Sequence, residues 1–133
     1  SSRLLPNFLP RLTAVGIDLM GVDDEERVKY APVMEMMESV GVPMMDGVLS
    51  MPLEHGENHI EVAKKLFDEV PIGITHFILH PSIDTPELRA ICPDWEASVA
   101  NYNAFMSAEL KKFLESAGIK LIGYRAIRDA MRS

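Results

Sequence analysis

The chain has 133 residues, enough for one domain with its own core, and 47% hydrophobic against 25% charged residues is ordinary for a globular protein. The formal charge of −7 argues against a nucleic-acid backbone or an anionic membrane surface as partner, because both need a positive face. No apolar run approaches the roughly 18 residues of a transmembrane helix.

The chain opens Ser1-Ser2-Arg3-Leu4-Leu5-Pro6, without a signal-peptide pattern, and reads as an internal start. Residues 12–20 form a candidate strand weakened by Gly16. Asp23 and Asp24 then cap a helix, with Glu25 and Glu26 favoured in its first turn by the helix dipole. Pro32 predicts a break and a second helical segment carrying Val33, Met36, Met37 and Val40, stopped by Gly41. Residues 42–51 read as a strand entered at Pro43, followed by a turn over 54–58. Ile60, Ala63, Leu66 and Phe67 make the apolar stripe of the next helix, with Glu61, Lys64, Lys65 and Asp68 outside.

Residues 74–80 are the clearest strand, apolar and β-branched, ended by His80-Pro81 because proline cannot donate to a ladder. A long polar loop follows to Pro93. Asp94 is an N-cap for a helix with Val99, Tyr102 and Phe105 on one face. Ser107 caps another, with Leu110, Phe113 and Leu114 inward and Gly118 as its stop. Residues 119–123 read as a short strand and 125–131 as a terminal helix. Alternation of this kind predicts an α/β fold of βα units with parallel strands, a small open sheet or a partial (β/α) barrel, as a single domain over 1–133. The loops after the strands, 51–59, 80–93 and 124–125, are expected to cluster as the ligand face.

Six of the nine methionines fall at Met34, Met36, Met37, Met44, Met45 and Met51. They either fill the core or form a surface that meets another part of the protein. The single Cys92 permits no intrachain disulfide and fits a reducing, cytoplasmic setting.

Chemistry concentrates after the clear strand. His76 and His80 are four apart in it and so share a face, with His80 at the strand end. That histidine is a candidate general acid or base or a metal ligand, against the plainer role of a ring satisfied by a backbone carbonyl. Asp84, Glu87, Arg89 and Asp94 are candidates to orient the imidazole or to hold substrate hydroxyls and carboxylates. Trp95 and Tyr102 are candidates to stack on a sugar. The plainer reading of the charges is surface pairing, and of Asp94 capping. His55 and His59 could share a metal on one helical turn, but exposed helix-start histidines are the expected role. No phosphate-binding loop, dinucleotide fingerprint, CxxC pair or nucleophile elbow occurs.

Four segments carry a family resemblance: Gly41-Val42-Pro43; Gly73-Ile74-Thr75-His76-Phe77-Ile78-Leu79-His80-Pro81; Glu87-Leu88-Arg89-Ala90-Ile91 with Pro93-Asp94-Trp95; and 119–125 with Arg128-Asp129. In order and spacing they resemble the C-terminal half of the YdjC-like carbohydrate deacetylases, a group that includes chitooligosaccharide deacetylases. The resemblance implies a deformed (β/α) barrel about twice this length, a divalent metal (zinc or magnesium), and hydrolysis of N-acetyl groups on amino-sugar or oligosaccharide substrates. In such chemistry a metal polarises the amide, a carboxylate takes the water's proton, and a histidine protonates the departing amine.

His80 is the residue this chain matches to that chemistry, as catalytic acid or site-lining group, with Asp84, Arg89, Asp94 and Trp95 as substrate contacts. The metal-binding half has no counterpart here, so the chain is expected to hold no metal and to be inactive alone. Two competing expectations stand beside it. One is a non-catalytic half-barrel that binds sugar or self-associates as a homo-oligomer through its methionine-rich edge. The other is a different enzyme in which His55, His59 and His80 converge on a metal.

Overall fold

The computed structural model describes residues 9–54 and 58–133. Its three strands form a parallel sheet in the order β1 (Pro10–Val15), β2 (Met45–Ser50), β3 (Thr75–Ile78). Six helices accompany it among the described residues: α1 (Asp24–Ser39), α2 (His59–Asp68), α3 (Pro86–Ile91), α4 (Trp95–Phe105), α5 (Ala108–Ser116) and α6 (Tyr124–Arg132). The protein is thus mixed α/β with a parallel sheet, as the alternation predicts.

β2 is the central strand, and Met45, Gly47, Val48 and Leu49 are all buried. A strand covered on both faces reads as a continuous apolar run rather than an alternating one. Met44 and Met51 flank it and are buried too. Parallel pairing with β3 follows from the Asp46 N–H donating to Ile74 O (2.7 Å) and the Met51 N–H to Ile78 O (2.8 Å).

The chain gathers into two compact units. The first takes the described residues to Leu49, Val70–His76 and Leu121–Ser133. Here Asp46 joins three segments. Its carboxylate accepts from Arg11 Nε (2.9 Å) and from the Ile74 N–H (2.9 Å). Arg11 also pairs with Glu38 of α1. The approach is so close that a Cβ on Gly73 would lie 2.0 Å from Asp46 Oδ2, and Gly73 has φ +123°. Gly16, at φ +79°, ends β1 against the Val48 carbonyl, where a Cβ would sit 1.9 Å from the oxygen. So β1 stops at Val15 and residues 17–20 form a 3-10 turn, not the continuous strand expected over 12–20.

Pro32 does not break α1. The helix runs from a capping box, in which the Glu26 N–H donates to Asp23 Oδ1 (2.8 Å) and the Asp23 N–H to Glu26 Oε2 (3.4 Å), through to Ser39. An internal proline costs about 3 kcal/mol in a helix. No residue of α1 is buried, so the carbonyl that loses its partner can be hydrated. Met34, Met36 and Met37 lie on this surface helix, so only the second cluster of methionines fills the core.

The second unit holds Ser50–Glu69 and Phe77–Lys120, where α2, α4 and α5 pack on one another. Phe67 of α2 stacks on Phe77 of β3 with centroids 4.5 Å apart, and Phe105 of α4 meets both rings edgewise or tilted at 6.2 and 5.7 Å. Such pairs contribute about 0.5–1.5 kcal/mol each beyond burial. Lys64 of α2 bridges to Glu109 of α5 (2.7 Å). Asn58 caps α2, and Ser107 caps α5 by accepting from the Leu110 N–H (3.2 Å). Leu110 and Leu114 point inward, and Gly118 follows α5 at φ +72°, the left-handed stop its position predicts.

Residues 119–123 are not a strand. Leu121 and Ile122 are exposed and join no ladder, so their apolar character carries no pairing signal.

Candidate functional site

β3 supplies the frame. It ends at Ile78, two residues earlier than the apolar run suggests, so His80 lies beyond the strand and does not share a strand face with His76. His80 is exposed, and among the described residues its ring has no hydrogen-bond partner, whereas its backbone N–H donates to Asn101 Oδ1 (3.3 Å). The next backbone tether is the Ser82 N–H donating to Ser98 O of α4 (3.1 Å).

The loop after His80-Pro81 is not irregular throughout. Thr85 accepts from the Leu88 N–H (3.1 Å) and Pro86 takes the first helical turn, which together start the short helix α3. That turn brings Arg89 back onto Asp84. Nε donates to Oδ1 (2.7 Å) and Nη2 to Oδ2 (2.6 Å), a two-pronged pair. The guanidinium lies 4.4 Å from the Trp95 ring centroid, a cation–π stack. The Arg89 hydrogen bonds hold the Asp84 carboxyl below the ordinary carboxylate range, and Asp84 raises Arg89 in return. Each Asp84 oxygen faces Arg89, so this carboxylate serves Arg89 rather than orienting an imidazole.

The other candidates fall outside that group. Asp94 occupies the N-cap position of α4, but its side chain makes no capping bond; its backbone carbonyl accepts from the Ser98 N–H (3.1 Å). Glu87 is exposed in the first turn of α3, and Tyr102 is half-buried. Val99 and Phe105 are likewise only half-buried. The buried stripe of α4 is instead Ala97, Ser98, Asn101 and Ala104.

Asn101 is fully buried and is the residue that the reading of the sequence missed. Its Nδ2 donates to His59 Nδ1 (2.7 Å) and to Ala97 O (3.1 Å), while Oδ1 accepts from His80. His59 is buried too, not the exposed helix-start residue expected, and its Nε2 faces Glu54 O (3.3 Å). The available signal was spacing. His59, Ala63 and Phe67 recur every four residues along α2, and all three are buried.

In the first unit, His76 meets the Tyr124 hydroxyl of α6 (Nδ1 to Oη, 2.7 Å). Burial pushes the His76 imidazole below its ordinary range and the Tyr124 phenol above its own.

A metal finds no donor set among these residues. No three His, Cys, Asp or Glu side chains converge among the described residues, and both ring nitrogens of His59 face protein partners. His55 lies outside the described residues, so of the possible His55–His59 metal pair only the second member is described, and that member is engaged. Among the described residues no helix is long and apolar enough to cross a membrane. No protein-family model matches the chain, and no curated protein matches it.

Proposed function

We propose that the chain is the C-terminal part of a metal-dependent carbohydrate deacetylase acting on N-acetylated amino sugars, its three-stranded sheet an arc of a deformed (β/α) barrel. The observation that carries this reading is the joining of exposed Asp84 and Arg89 to the half-buried ring of Trp95, all after His80-Pro81. A flat aromatic edge beside a guanidinium–carboxylate pair offers a pyranose both an apolar face and fixed donors and acceptors. The exposed His80 ring is open to a substrate, as a group that protonates a leaving amine must be. On this reading the chain supplies sugar contact and a proton donor.

The test uses Trp95, the only tryptophan in the chain, as its own probe. Titration with tri-N-acetylchitotriose should change its fluorescence saturably, and Arg89→Ala should weaken that response about tenfold, the ordinary scale for losing one charged contact. A flat titration into the millimolar range, with acetylated and with free amino sugar, would overturn the reading.

A second reading, self-association without catalysis, is favoured by α1. Val33, Met36 and Val40 recur at helical spacing and are 48%, 60% and 73% exposed. Sedimentation that stays monomeric as concentration rises would dismiss it.

A further inference from the structure

We propose that Asn101, oriented by His59, is a positioning residue for His80; this rests on the reading of His80 as the proton donor. Three groups fix the Asn101 carboxamide. Turned over, its oxygen would face the Ala97 carbonyl and its NH2 would face the His80 N–H, replacing two hydrogen bonds by two repulsions. The third group is His59 Nδ1, which accepts from Nδ2 at 2.7 Å. With Nδ1 accepting, the proton of the neutral ring sits on Nε2, where the Glu54 carbonyl receives it.

The bond to His80 matters because of where it falls. β3 ends at Ile78, and Pro81 has no N–H. The His80 amide is therefore the last donor before the chain turns, and Asn101 is what holds it. That bond, with the Ser82 N–H to Ser98 O after it, sets the direction in which the His80 side chain leaves the turn. An aliphatic side chain at position 59 would fill the stripe shared with Ala63 and Phe67 without needing partners. A buried histidine there, with both nitrogens engaged, serves the orientation of Asn101.

Nitrogen NMR and amide exchange on the full chain test this. In the unaltered protein the His59 ring should show the Nε2–H tautomer, and the His80 amide should exchange slowly. Asn101→Leu should speed His80 exchange about tenfold, the scale of one lost hydrogen bond, and weaken the chitotriose response with it. Asn101→Asp keeps an acceptor for His80 but loses the donor to His59. It should therefore preserve His80 protection while adding a proton at Nδ1, so that the ring donates both to the new carboxylate and to the Glu54 carbonyl.

An Nδ1–H ring in the unaltered protein would overturn the proposal, as would unchanged His80 exchange in the leucine variant. The two measurements on the unaltered chain decide it even where a variant fails to fold. A missing saccharide response with the tautomer and exchange as expected overturns the carbohydrate reading alone.

Discussion

Asp84 with Arg89 and Asn101 with His59 are both polar pairs of the second unit, yet they obey different physics. The first joins residues five apart on an exposed loop, and the second joins residues 42 apart in the core. Water competes for every bond of the first pair, so its worth to folding is small and its availability to a ligand is high. The second is buried, so each partner is costly to remove and little of either is open to a ligand. Exposed polar groups are thus candidates for contact, and buried ones for holding contacts in place.

The contrast breaks most visibly at Asn101. Asn101→Ala should lower the unfolding free energy by about 2–4 kcal/mol in urea titrations, because it strands the His80 N–H and His59 Nδ1 and leaves a void. A change near zero would place that pair with the surface kind.

His76 and Tyr124, half-buried, test the middle ground. Burial lowers the His76 value in the folded chain, so the unfolded chain binds the proton more readily. Its contribution is therefore complete above about pH 6.5 and is lost as pH falls from there through the folded value. Melting temperature should drop over that acid window, and His76→Phe should flatten the drop. An unaltered pH profile in the variant would assign the slope to other groups.

The smallest effect on folding belongs to Arg89. Arg89→Ala should leave the denaturation midpoint where it is while changing Trp95 emission, since the cation over the ring is gone. A large loss of stability would mean that this pair is structural after all.

The same division explains what the sequence revealed. β2 and β3, the caps at Asp23 and Ser107 and the stop at Gly118 are local signals and were legible. Asp84, Arg89 and Trp95 stood out one by one as charged or aromatic residues after His80-Pro81, but their joining depends on the turn of α3, which reads as loop in the sequence. The run through Pro32 was not legible, because it depends on α1 being wholly at the surface. The end of β3 at Ile78 was hidden by Leu79, which continues the apolar run without continuing the ladder. Asn101 was invisible because its value depends on His59 and on the His80 backbone, and a polar residue on a helix ordinarily faces water. The stripe of small residues Ala97, Ser98 and Ala104 around it was the one local hint of close approach.

Gly73 carries a consequence for how this sequence can vary. The carboxylate of Asp46 fills the space that a side chain at 73 would need, and the backbone there is one that other residues rarely adopt. Positions 46 and 73 are therefore not free to drift separately. Among descendants of this sequence, a side chain at 73 should appear only where 46 has shortened and the loop entering β3 has rebuilt, so the two columns of an alignment should change as one.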